Sequence, residues 1–190
     1  MTETAVNDAP PIDESRLLPI GTDDDDTLRD AVVGILAEVI DEAPEPDEDG
    51  EIPVWIDDVL TYATVDAENG VVVLTTYIAE SIAGRTRAAE VLGDLQEEWP
   101  EFKFLLQKDR VTAEQRVGAS PLVPVHLIRA VAALVPLVEE TRVLASRLGG
   151  EACVFDGEED DSEDDDTEST DGVIGEDLLA GCGCGDCSCG

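Results

Sequence analysis

The sequence predicts an α+β fold: an antiparallel sheet packed against helices, with elements in the order α-β-β-β-α-β-β-α. Three observations carry this prediction. Three segments place apolar residues at helical spacing, and five shorter ones alternate or run as β-branched and aromatic blocks. Turn signals, Glu68-Asn69-Gly70 and Lys108-Asp109, join neighbouring strands directly, so strands come in groups rather than singly between helices. The pattern covers about 125 of 190 residues, and both ends outside it are dominated by acid.

Residues 1–22 hold three prolines and no apolar period, and are expected to form a disordered arm. Acids at 23–26 suit a helix start, where carboxylates meet free backbone N–H groups. Leu28, Val32, Ile35, Leu36, Val39 and Ile40 then mark an amphipathic helix over about 26–42, which Pro44 and Pro46 end. Residues 52–56 read as a first strand, with Pro53 placing it at an edge. Residues 59–65 and 71–78 read as a hairpin. A second helix is expected over 86–98, with Ala88, Val91, Leu92 and Leu95 as its stripe and Trp99-Pro100 as its stop. Phe102, Phe104 and Leu106 mark a fourth strand, and 110–117 a fifth, antiparallel to it. A long helix over about 123–148 follows, kinked at Pro136 and ended by Gly149-Gly150. The folded domain is thus expected over 23–150, with a disordered acidic tail over 151–190 that ends in a Cys-rich segment.

Charge excludes several functions. The chain carries 46 acidic and 11 basic side chains, a net −35. Residues 1–50 account for −14, 51–150 for −6 and 151–190 for −15, so the centre is ordinary and the ends are polyanionic. Only two lysines are present, which argues against nucleic acid and anionic membrane as partners. No secretion signal or membrane-spanning run is evident, which places the chain in the cytoplasm and its cysteines among thiols or metal ligands. No Ser-His-Asp or Cys-His set suggests an enzyme. His126, the single histidine, is expected at the surface, Cys153 as a packing residue, and Trp55 and Trp99 at the core margin. Arg85 and Arg87 are expected to cap acidic neighbours rather than to bind a partner carboxylate. The acid run 156–171 lacks EF-hand spacing and reads as a solvated spacer.

Three stretches carry a family resemblance: Ile-Pro-Val-Trp-Ile-Asp-Asp-Val-Leu-Thr-Tyr-Ala-Thr-Val at 52–65; Leu-Gly-Asp-Leu-Gln-Glu-Glu-Trp-Pro-Glu-Phe-Lys-Phe-Leu-Leu at 92–106; and the polar strand 110–117 followed by Pro121 and the last helix. With these, residues 52–150 resemble a YbjN-type domain, related in fold to the CesT-like chaperones of type III secretion. The resemblance implies a noncatalytic module that holds a protein or peptide partner on a sheet face or helix groove, often as a homodimer. Strand 71–78 offers two faces to such a partner: Val71, Val73, Thr75 and Tyr77 on one, Val72, Leu74, Thr76 and Ile78 on the other. Each face can equally serve as packed core.

The alternative function lies in the tail, where Cys182, Cys184, Cys187 and Cys189 have the spacing C-x-C-x-x-C-x-C. Four thiolates among small residues suit a tetrahedral soft metal, zinc or copper(I). Reversible disulfides, modification, or no role at all are the competing readings. A tail that holds metal makes the full chain compete with a chelating dye for about one equivalent of zinc or copper(I). Replacing all four cysteines by serine then abolishes the competition, and equal dye signals for both proteins rule the metal out.

Overall fold

Helix α1 (Asp25–Leu36) begins where the side chain of Asp24 accepts hydrogen bonds from the Thr27 backbone N–H and hydroxyl, both at 2.8 Å. The Thr27 bonds hold the Asp24 carboxyl below its usual range. The computed structural model describes residues 14–21, 24–40 and 43–154. The chain divides into two units, Met1–Gly157 and Glu158–Gly190, and all described residues belong to the first. Five strands follow the expected order, β1 (Ile52–Ile56), β2 (Val59–Asp66), β3 (Val71–Glu80), β4 (Lys103–Gln107) and β5 (Arg110–Gly118), and the described residues add a sixth, β6 (Glu151–Ala152). Helix α2 (Arg85–Glu98) lies between β3 and β4, and α3 (Pro124–Glu139) and α4 (Thr141–Leu148) follow β5. The sheet is antiparallel, in the order β1-β2-β3-β5-β4.

Register puts Val54, Thr61, Thr76, Ala113 and Phe104 in one row across five strands, and every one is buried. On one side of it run Ile52, Ala63 and Leu74, and beyond them Val65, Val72 and Val117. These side chains join the apolar stripes of all four helices in one core. The only buried side-chain pair in the row that needs hydrogen bonding is Thr61 and Thr76, whose hydroxyls bond each other at 2.8 Å. A bulge after Tyr77 turns both Ile78 and Ala79 inward.

Four expectations are corrected. The first helix stops at Leu36 rather than 42; residues 37–40 tighten into turns, with Glu38 N–H donating to the Ile35 carbonyl and Val39 N–H to that of Leu36. The long last helix is two helices, and the break is at Glu140 rather than Pro136. Pro136 is on the exposed side, where water can serve the carbonyl its ring leaves unbonded. At the break, buried Thr141 instead donates its hydroxyl to the Leu137 carbonyl. The arm expected over 1–22 is part of the fold from Glu14: a short turn, Glu14–Leu17, leads to Ile20, which exchanges backbone hydrogen bonds with Leu122. The folded chain also continues past 150. Gly149, at φ 76°, turns α4 into β6, which pairs Ala152 with Ala79 and Glu151 with Glu80. β5 meets Ala79 from the other side, so β6 continues the line of β2.

This last turn requires glycine at Gly150 for lack of space. A Cβ on Gly150 would strike the Glu80 carbonyl and the Ile82 side chain. Gly93, in the middle of α2, faces open space. Gly150→Ala should therefore destabilise the fold by about 1–3 kcal/mol, and Gly93→Ala should stabilise it by about 0.5–1 kcal/mol. Denaturant titrations check both signs.

Candidate functional site

The alternation that buries one side of the sheet presents the other. On that second face Pro53, Tyr62, Thr75, Glu114 and Lys103 form a row in register. Trp55 is paired with Leu60 beside it, and Tyr77, Thr112 and Leu105 form the adjoining row. Thr64, Val73 and Arg116 lie beyond Tyr62. Most of these residues are half-buried by one another, whereas Trp55 is 50% exposed. Tyr62 and Tyr77 meet edge to face, with ring centroids 6.2 Å apart. Burial, then the neighbouring Tyr77, pushes the Tyr62 phenol up from its ordinary value.

Besides one of about 580 Å³ beside Thr75, Tyr77, Thr112 and Glu114, two concavities flank this aromatic band. One, of about 320 Å³, is lined by Leu60, Tyr62, Tyr77, Arg110, Cys153 and Val154. Arg110 is paired with Glu80 at 3.4 Å. Cys153 is a free, buried thiol, pushed up to about 11 by burial and by Glu80, which makes it a packing group and not a nucleophile. The other, of about 660 Å³, lies at the β1 rim between Val39, Ile40, Pro44, Pro53 and Trp55.

The sheet edges are less available than the face. The register of the β1–β2 hairpin turns the Pro53 nitrogen outward, where proline withholds a donor from any added strand. On β4, the Gln96 side chain donates to the Phe102 carbonyl and accepts from the Phe104 N–H at 3.4 Å, occupying the outer edge as a partner strand would.

Cys182, Cys184, Cys187 and Cys189 lie outside the described residues. Among the described residues no group of three or more His, Cys, Asp or Glu is placed to hold a metal ion. His126 is exposed at the start of α3, as expected. Trp99 sits at the core margin, edge-on to Phe102. Arg85 departs from expectation: its guanidinium donates to the Lys108 backbone carbonyl, an oxygen acceptor rather than an acid. Of the two candidate faces of residues 71–78, Val72, Leu74, Thr76 and Ile78 are core, and Val71, Val73, Thr75 and Tyr77 look outward. Sequence reasoning missed the wall built by Cys153 and Val154. Its only trace was the short apolar run 152–155 between the glycines and the acids.

No helix among the described residues is long and apolar enough to cross a membrane. The family model for "T3SS (YopN, CesT) and YbjN peptide-binding chaperone 1" matches residues 26–156. Among solved structures, the chain is similar to one in the ExsC–ExsE complex, at 16% identity over 67% of this chain and 98% of that one, with a TM-score of 0.50. It is also similar to a chain of the HopA1–SchA chaperone–effector complex (14% identity, 70% and 99% covered, TM-score 0.49). A third likeness is to the Yersinia pestis type III secretion chaperone SycH in complex with a fragment of YscM2 (16% identity, 60% and 99% covered, TM-score 0.44). At such identities the likeness is one of fold. No curated protein matches. On the match over residues 26–156, the chain belongs to the TY-Chap1 family of noncatalytic, peptide-binding chaperones.

Proposed function

We propose that this chain is a cytoplasmic binding module that holds an extended segment of a partner protein across the outward face of its sheet. The observation that supports this most is the asymmetry of the sheet. One face is packed under four helices, while the other carries a band of Trp55, Leu60, Tyr62 and Tyr77, of which Trp55 is 50% exposed. Large, stiff aromatic side chains give contact area at low entropic cost and dominate interface energies. Thr64, Thr75, Glu114 and Lys103 surround the band with groups that can hydrogen-bond a peptide backbone.

The partner's chemistry follows from the same face. An extended peptide presents every second side chain to the surface it crosses, so apolar residues at alternate positions suit the band. The chain's net charge of −35, most of it carried outside residues 51–150, attracts basic segments at long range and repels acidic ones. The partner segment is therefore apolar at alternate positions with Lys or Arg between them. A second copy of the chain, as in the homodimer expected from the family resemblance, is the competing occupant.

Selection of random displayed peptides on the full chain tests this. Enriched peptides should show the alternating apolar and basic pattern. Tyr62→Asp, in a protein of unchanged circular dichroism, should weaken them by about 2 kcal/mol or more, roughly thirtyfold in Kd. Equal binding to both proteins would move the site off this face. A chain that dimerises through the face, with Tyr62→Asp returning it to monomer, would assign the face to self-association.

A further inference from the structure

The concavity of about 580 Å³ on the outward face differs in chemistry from its neighbours. No wholly apolar side chain lines it: Thr75, Thr112 and Glu114 contribute from β3 and β5, with Tyr77 beside them. Tyr77 also lines the apolar concavity of Cys153 and Val154, so the two adjoin at that residue. Four charged residues line the polar one: Lys108, Asp109, Arg110 and Glu114. Arg110 is paired with Glu80 at 3.4 Å. Lys108 and Asp109, opposite in sign, are neighbours in the exposed hairpin turn. Glu114, by contrast, is half-buried in mid-sheet, in register between Thr75 and Lys103. Lys103 is exposed, and among the described residues no hydrogen bond or ion pair engages the Glu114 carboxylate. A carboxylate partly withdrawn from water is stabilised by a cation placed beside it.

We propose that Glu114 selects the partner segment by accepting an arginine side chain in this concavity. The inference rests on the sheet-face reading and adds to it one face-side position that is basic instead of apolar. Arginine suits the lining better than lysine. Its planar guanidinium carries five donors, and the Glu114 carboxylate and the hydroxyls of Thr75 and Thr112 supply acceptors within one lining. Its stem and guanidinium can also pack on the Tyr77 ring. In an extended segment, side chains at even spacing share one side. The arginine and the apolar residue that enters the Cys153 concavity are therefore an even number of positions apart.

Selection of random displayed peptides on two full chains, native and Glu114→Arg, tests this. The native chain should enrich arginine at one fixed position, an even number of residues from an apolar anchor. The Glu114→Arg chain should lose that arginine and enrich Asp or Glu there, with the apolar anchor kept. A purely structural role for Glu114 would not reverse the preferred charge. The same peptides on both chains overturn the proposal. So does Asp or Glu at that position on the native chain, which gives the concavity to Lys108 and Arg110. Should Glu114→Arg fail to fold, Glu114→Gln replaces it. That change should weaken a selected arginine peptide about tenfold and leave the same peptide with alanine for arginine unchanged. Equal loss for both peptides, or none, is then the contradicting result. Tyr62→Asp separates this inference from the reading beneath it. Binding lost through Tyr62→Asp but indifferent to Glu114 sinks the inference and keeps the reading. Binding indifferent to Tyr62→Asp, or no enriched peptide on the native chain, sinks both.

Discussion

β3 pairs with β2, β5 and β6, and its side chains alternate strictly between two environments as far as Ile78. That alternation constrains everything around it. A strand with Val72, Leu74, Thr76 and Ile78 beneath helices must present Val71, Val73, Thr75 and Tyr77 on the reverse. A register slip by one residue on either side would bring Tyr77 and Glu114 into the core and expel Leu74 and Ala113. The Thr61–Thr76 hydroxyl bond opposes such a slip, because either hydroxyl displaced within the core would lose its partner.

The helices secure one face and leave the other unencumbered. α4 is tied to α2 by a two-pronged bond between Arg147 and Glu98, at 2.7 and 2.9 Å, which holds the Glu98 carboxyl below its usual range. α1 is tied to the hairpin turn by Asp25, which accepts from the Ala67 N–H at 2.7 Å. The turn is itself closed by Asp66, which accepts from both nitrogens of Asn69. With Pro53 on one outer edge and Gln96 on the other, strand addition is disfavoured where a bare sheet would invite it. Under the proposed function, recognition is left to side chains on the face.

Much of this is legible in the sequence, because period and turn chemistry are local properties. Asn69-Gly70 and Lys108-Asp109 turn where expected, and the expected order holds from the first helix to β5. The misses arise where tertiary context decides. Val39 and Ile40 continue the helical period of α1, yet they face the rim groove and the backbone has already tightened into turns. Pro136 looks like a break but is placed where water can replace the lost donor, while Thr141, unremarkable in sequence, marks the actual interruption. β6 is too short to show a period, and only the space beyond the end of β2 makes it a strand. The two faces of 71–78 are equally apolar in sequence. Which one is site depends on where the helices pack, and no local pattern encodes that.

The proposed function puts binding on the outward sheet face, between the β1 rim and the wall formed by Cys153 and Val154. NMR titration of the full chain with a selected peptide measures this residue by residue. The account predicts chemical-shift changes and intermolecular contacts at Trp55, Leu60, Tyr62, Thr75 and Tyr77, with the methyl groups of Leu74, Leu134 and Leu144 in the core little changed. Contacts concentrated on the exposed sides of α3 and α4, at Val135 and Val143, with the tyrosines unmoved, would contradict it.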